Sequence, residues 1–168
     1  MAEQRESSEL IEKVVEVKRV SKVVKGGRRF SFSALVIIGD GKGRVGAGLG
    51  KANEVVEAVR KGNEAAKKNM VSCTIYKTTI PHAVQGKHGS SLLMMKPSPS
   101  GSGIISAGAV RAVMECVGIH DVNVKALGSR NANNMVSAAL DGLAQLKSFG
   151  EVAARRGKNV EEICQIGF

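Results

Sequence analysis

Three glycines at every second position, in "RVGAGLG" (44–50), constrain this chain more than any other feature. The stretch follows an apolar run, "FSALVII" (32–38), and a turn-forming "GDGKG" (39–43). Read with a period of two, Val45, Ala47 and Leu49 share one face of a strand, and Gly46, Gly48 and Gly50 make up the other. A strand with one face empty of side chains lets something bulky approach its backbone closely. Two readings of that bulk are open: a phosphate backbone, or a packed helix or strand of the same chain.

Gly41-x-Gly43-x-x-Gly46 formally matches a dinucleotide fingerprint, but that fingerprint needs a helix opening inside the motif, its N-terminus facing the pyrophosphate. Gly48 and Gly50 would fall in that helix's first turns, each costing about 1 kcal/mol relative to Ala. A P-loop fails as well. Val45 stands where its first glycine belongs, and Ala52 stands where a metal-binding hydroxyl belongs. Charge supports the phosphate-backbone reading: residues 17–51 carry nine Lys and Arg against Asp40 alone, within a chain of net charge +10. A basic block inside folded sequence points to a shaped polyanion-binding face.

Along the chain, residues 10–24 mix β-branched residues and charges in a way that favours a strand, with a helix as the alternative. "KGGRR" (25–29) breaks it, and Phe30, Phe32, Ala34, Val36 and Ile38 share one side of a second strand, which makes core packing the expected role of both aromatics. Asn53 reads as the cap of a helix with Val55, Val56, Val59 and Ala66 inward, ending near Asn69. A second unit follows. It has strand-like segments at 71–76 and 91–96 separated by a connection, a loop at 97–103, and a helix on Val110, Val113, Met114 and Val117 stopped by Gly118. Then come a strand on Val122, Val124 and Ala126 and a long helix opened by Asn131 or Asn133. The tail reads as one short polar helix-forming segment capped by Asn159 and Glu162.

Cys73, Cys116 and Cys164 are odd in number and widely spaced, and His82, His88 and His120 show no ligand spacing. Reduced thiols are expected, with no metal and no cofactor. No apolar run has the length of a membrane span, and the acidic start is unlike a signal peptide, so a cytoplasmic protein is expected.

The order of motifs in "VSKVVKGGRRFSFSALVIIGDGKGRVGAGLGKANEV", then "PSPSGSGIISAGAVRAVMECVGIHDVNVKALGS" and "AARRGKNVEEI", closely resembles the bacterial small-subunit ribosomal protein S-five family over nearly the whole chain. Ala47 and Leu49 depart from it where aromatics are common, as do Val56 and Ala132 where proline is frequent, and Arg29 adds a charge. The resemblance implies an α+β fold: an N-terminal β-sheet plus helix like a double-stranded-RNA-binding domain, then a C-terminal α/β domain with a left-handed βαβ crossover. It divides the chain into an acidic extension (1–9), an RNA-binding-like domain (10–73), the α/β domain (74–150) and a tail (151–168). It further implies a structural, non-enzymatic role. The expected partners are small-subunit ribosomal RNA and small-subunit proteins four and eight, with messenger RNA nearby.

Charge and resemblance together nominate an RNA-binding loop of Lys22, Lys25, Gly26, Gly27, Arg28 and Arg29, and a second RNA site of Lys42, Arg44, Gly46, Gly48, Gly50 and Lys51. Gly101, Gly103, Ile104, Ile105 and Arg111 are assigned to a protein contact. Two other functions fit parts of the sequence. "PSPSGSG" resembles the phosphate loop of small-molecule kinases, although Ile104 and Ile105 stand where the required serines belong. A double-stranded-RNA chaperone acting outside the ribosome is the other.

Overall fold

The computed structural model describes residues 10–166; the acidic extension 1–9 and the last two residues lie outside the described part. Strands β1 (Ile11–Val24), β2 (Gly27–Gly39), β3 (Arg44–Ala52) and the short β4 (Val71–Ser72) form one antiparallel sheet in chain order. Helix α1 (Val55–Lys68) connects β3 to β4. The second sheet has β5 (Val84–His88), β6 (Ser91–Pro97), β7 (Ile104–Ile105) and β8 (Val122–Gly128) in the order β5-β6-β8-β7. Helix α2 (Gly108–Val117) joins β7 to the parallel β8. Helices α3 (Ala132–Ala144), α4 (Phe149–Arg156) and α5 (Val160–Ile166) complete the chain. The architecture is the expected α+β arrangement of an N-terminal sheet and a C-terminal α/β unit.

The period-two pattern of β2 divides the core in two. Ala34, Val36 and Ile38 face α1, packing on Ala58 and Ala66. Leu35 and Ile37, with Val45 of β3, face the other way into a larger cluster with Val110, Val113 and Met114 of α2, Met135 and Val136 of α3, and Leu93, Met95 and Val122 of the second sheet. Helices α2 and α3 therefore lie between the two sheets, and β2, buried on both faces, needs its continuous apolar run.

Several expectations change. Glu54, not Asn53, is the N-cap of α1 and makes no side-chain cap bond, while Asn53 Oδ1 accepts from Ser31 Oγ at 3.4 Å. The inward stripe of α1 is Ala58, Gly62 and Ala66, whereas Val56 is 78% exposed. Of the segment 71–76 only Val71–Ser72 is strand, β5 lies in the stretch read as a connection, β7 follows directly on the loop at 97–103, and the tail forms two helices. Gly118 stops α2 at φ +94° and Asn131 caps α3, its side chain accepting from Asn133 N at 3.0 Å.

Candidate nucleic-acid interface

The glycine face of β3 is covered. Gly46, Gly48 and Gly50 pair with Ile38, Val36 and Ala34, and all six sit under α1. A methyl group at any of the three would overlap a backbone carbonyl, of Ala66, Gly62 or Ala58 respectively; at Gly48 it would also lie 2.5 Å from Ala66 N. None of the three has positive φ, so the glycines supply space rather than backbone freedom. Small residues on the helix meet glycines on the strand, and the backbones touch. These three glycines cannot meet an RNA backbone, which corrects their assignment to the interface.

The loop before β3 is closed to phosphate too. Gly41 N and Gly43 N donate to Cys116 O and Val117 O, each at 3.0 Å, and Asp40 N donates to Arg44 O. Asp40 Oδ1 accepts from Lys42 N at 2.8 Å and Arg44 N at 2.9 Å. Every backbone N–H from Asp40 to Arg44 is thus used inside the protein. The loop caps the carbonyl end of α2, where the helix dipole is negative and an anion is disfavoured. It fastens the first sheet to α2: an added methyl at Gly39 or Gly118 would run into the Cys116 or Gly41 carbonyl.

The cations gather elsewhere. Beyond the Phe32–Ala52 pairing, β1 and β2 continue as a two-stranded arm turning at Lys25–Gly26, with Gly27 at φ +135°. Lys22 and Arg29 are directly opposite, on one face; Arg28 is on the other, as is Arg19, whose guanidinium carbon lies 4.7 Å from the Phe30 ring centroid. Phe30 is therefore 49% exposed beneath Arg19, and only Phe32 joins the core. Lys51 continues the Lys22–Arg29 face, opposite Ser33, which in turn pairs with Lys18. Lys18 is bound to Glu16 at 2.9 Å. Among the described residues the side chains of Lys22, Lys25, Arg28, Arg29, Lys42, Arg44 and Lys51 form no ion pair.

The structure does not unite the two nominated clusters. Ten residues of β2 separate Arg29 from Gly39, roughly 33 Å at about 3.3 Å per residue, so Lys42 and Arg44 stand at the far end of the sheet from the arm. Lys51 belongs with the arm. Sequence proximity had grouped it with Lys42 and Arg44, but a nine-residue strand carries it to the opposite end.

In the second unit, Gly101 and Gly103 have positive φ and open surroundings. Their N–H groups point at the Asp121 carboxylate, with Gly103 N at 2.9 Å. The Thr78 hydroxyl, then these amides, hold Asp121 below the usual carboxylate range. The kinase-like loop already contains its anion, a carboxylate of the same chain. Arg111 donates from its guanidinium to Ile104 O at 2.7 Å, fixing the loop to α2, and Ile105 is 47% exposed. Burial, first, and then Asp40 push the Cys73 thiol up to about 11; burial likewise raises Cys116 to about 11, against a smaller lowering by Lys13. No group of His, Cys, Asp and Glu among the described residues can hold a metal ion, and no described helix is long and apolar enough to cross a membrane.

A basic two-stranded arm on a sheet-and-helix unit, followed by an α/β unit whose anion nest is filled from within, defines a two-part α+β protein. Family models agree on which one. "Ribosomal protein S5, N-terminal domain" matches residues 10–73 and "Ribosomal protein S5, C-terminal domain" matches 86–156. The small ribosomal subunit protein uS5 of Syntrophobacter fumaroxidans is 55% identical over 155 residues, covering 92% of this chain and 93% of that one. The chain belongs to the ribosomal protein S5 family, a structural and non-enzymatic component of the small ribosomal subunit.

Proposed function

We propose that the chain binds small-subunit ribosomal RNA through the arm, with Lys22, Lys25, Arg28 and Arg29 on phosphates and the Gly26–Gly27 turn entering a groove. Lys51 extends this contact, and Lys42 and Arg44 hold a separate RNA segment at the other end of the sheet. Through these contacts the protein supports subunit assembly and head–body conformation and influences decoding accuracy near the messenger entry path. The loop of Gly101, Gly103, Ile104 and Ile105, with Arg111 behind it, contacts small-subunit protein four, and protein eight is a second neighbour. One observation supports the reading most. Lys22 and Arg29 face each other across the arm without a carboxylate, and like charges directly opposite destabilise a strand pair. Such a pair is favourable once a polyanion neutralises it.

The test is binding of the full chain to small-subunit ribosomal RNA across a salt series. With seven phosphate contacts, from Lys22, Lys25, Arg28, Arg29, Lys42, Arg44 and Lys51, log affinity falls with log salt at a slope of about −5 to −6. Replacing the four arm cations by Ala leaves three contacts and brings the slope to about −2 to −3. A slope unchanged in that variant refutes the arm as the interface. Co-sedimentation with small subunits on a gradient of cell extract checks where the protein resides.

A further inference from the structure

On the face of the first sheet opposite α1, helices α2 and α3 cover Leu35, Ile37 and Val45 but leave Leu49 47% exposed. A groove of about 320 Å³ opens there, with Ala47 and Leu49 of β3 as one wall and Val136 and Leu140 of α3 as the other. That volume lies at the lower end for small-ligand sites, ~300–1,000 Å³, and suits one planar ring between two aliphatic walls. Three polar side chains stand on its rim: Asn69 at the end of α1, and Asn133 and Ser137 on α3. None of the three makes a side-chain hydrogen bond among the described residues, whereas the neighbouring Asn131 is occupied as the cap of α3. At one end the groove runs into a shallower recess of about 100 Å³ that shares Leu35, Leu49 and Asn133 with it. Ser33 and the Glu16–Lys18 ion pair border this recess. Beyond it the same face of the sheet carries Lys51, two residues on from Leu49, and then the Lys22–Arg29 pair of the arm. The groove therefore sits at the foot of the basic face, about 20 Å along β2 from Arg29.

We propose that this groove is a base pocket, which takes a single unstacked nucleobase of the RNA whose phosphates the arm and Lys51 hold. The inference rests on the RNA-binding reading and deepens it, adding a site that reads a base to contacts that meet phosphates. Phosphate contacts position a nucleic acid and base contacts specify it. Bases taken out of a stack are held between aromatic or apolar side chains and read by hydrogen bonds along their edges. The groove offers both halves of that arrangement. Its walls are aliphatic, and each Asn amide on its rim presents an acceptor and two donors, which matches the mixed edge of a base. A ring without polar edges would displace water from Asn69 and Asn133 and leave them unpaired. Charge selects RNA over a protein side chain as the source of the ring. Lys51, Lys22 and Arg29 form no ion pair among the described residues and lie in line with the groove on one face of the sheet. Glu16 is the one carboxylate lining either recess, and a carboxylate there accepts from an exocyclic amino group, which favours adenine, cytosine or guanine over uracil.

The test measures binding of the full chain to small-subunit ribosomal RNA in three variants. Asn69→Ala with Asn133→Ala removes the amides from exposed positions, and Ala47→Phe fills the groove with a ring of its own. Each should weaken binding about tenfold, within the range for one stacked or hydrogen-bonded base, while the salt slope keeps the parent's value because every phosphate contact remains. Lys51→Ala should instead lower the slope by about one. A compact diazirine side chain at Leu49 should cross-link to the base of one nucleotide, seen as a single reverse-transcription stop. The double Asn variant should lose that adduct at least tenfold. Parental affinity and an undiminished adduct in the double Asn variant, with normal circular dichroism, overturn the proposal even where Ala47→Phe fails to fold. A Leu49 adduct to protein in assembled small subunits overturns it as well. Thermal stabilisation of the chain by micromolar adenosine, cytidine or guanosine without RNA would make the groove a free-nucleoside site and overturn RNA as the source. A salt slope unchanged by loss of the four arm cations refutes the RNA reading itself. A slope that falls as expected, beside groove variants that bind like the parent, refutes the base pocket alone.

Discussion

Gly48→Ala separates the two readings of the glycine strand. The added methyl meets Gly62 O and lies 2.5 Å from Ala66 N, and both obstacles are backbone, so no rotamer change relieves the overlap. Ordinary carbon contacts sit near 3.5–4.0 Å, and α1 must therefore retreat by roughly 1 Å. A gap of that size forfeits a quarter to a half of the dispersion energy between facing atoms, here between Ala58, Gly62 and Ala66 and the Ala34–Val36–Ile38 face. The cost should lie at the upper end of overpacking, about 3 kcal/mol, or a fall in melting temperature of roughly 6–12 °C for a chain of this length. Gly62→Ala is the control. Its methyl would meet the Val36 Cγ2 at 2.9 Å, a methyl group rather than a backbone atom, and Ala gains about 1 kcal/mol of helix propensity over Gly, which offsets the smaller displacement. That variant should stay within about 1 kcal/mol of the parent. Thermal unfolding followed by circular dichroism reads both. RNA affinity at low temperature, where Gly48→Ala remains folded, should stay within a factor of about two, because no phosphate contact is touched. A Gly48→Ala protein that melts like the parent, or one that keeps its stability and loses RNA, would refute the packing argument.

Further outcomes follow from the two internally filled loops and the thiols. Asp121 has its carboxyl held below the ordinary value of 3.8, so its contribution to stability is full above that value and is lost as pH falls through the lower folded value. Acid unfolding should show that loss below pH 3.8, and Asp121→Asn should remove it; equal acid profiles for the two proteins would show that the nest is not what Asp121 stabilises. Asp40→Ala deprives Lys42 N and Arg44 N of their acceptor and should cost about 2–3 kcal/mol in urea unfolding, whereas a phosphate loop would instead lose a repulsive carboxylate and tighten on RNA. With their thiols pushed up to about 11, Cys73 and Cys116 should resist iodoacetamide at pH 8 in a Cys164→Ser background and react on unfolding; native-state labelling at the rate of a free thiol would contradict their burial.

What could be read in the chain depended on whether a residue's partner was local. Helix α2 was legible because Val110, Val113, Met114 and Val117 keep a 3.6-residue period and Gly118 supplies a left-handed stop. Helix α1 was legible in extent and on one side of its inward face. Ala66 lies in the inward stripe with Ala58 and Gly62 and Val59 packs beside it, as expected, whereas Val55 and Val56 are exposed and the small Ala58 and Gly62 take the places that a search for large apolar residues gives to them. Strand β5 was missed for the same reason. Its inward Gly86 lies so close to α3 that a methyl there would overlap Ala138 O, while Gln85 and Lys87 face outward and make the segment look like loop. Among the site residues, the arm cations could be picked out by charge. Asp40 and Asp121 could not be found as loop anchors, because their partners are backbone amides that no side-chain pattern announces.

By itself the sequence determined the strand periods, the turn glycines, the basic block and, through long ordered motifs, the S5 family. Those properties are local or cumulative along the chain. Only the tertiary structure decided what the bare face of "RVGAGLG" admits. An absent side chain records that something comes close but not what comes, and the identity of the occupant is a non-local fact. Here it is the backbone of α1, which leaves the cations to act from an arm that the same sheet holds out beyond it.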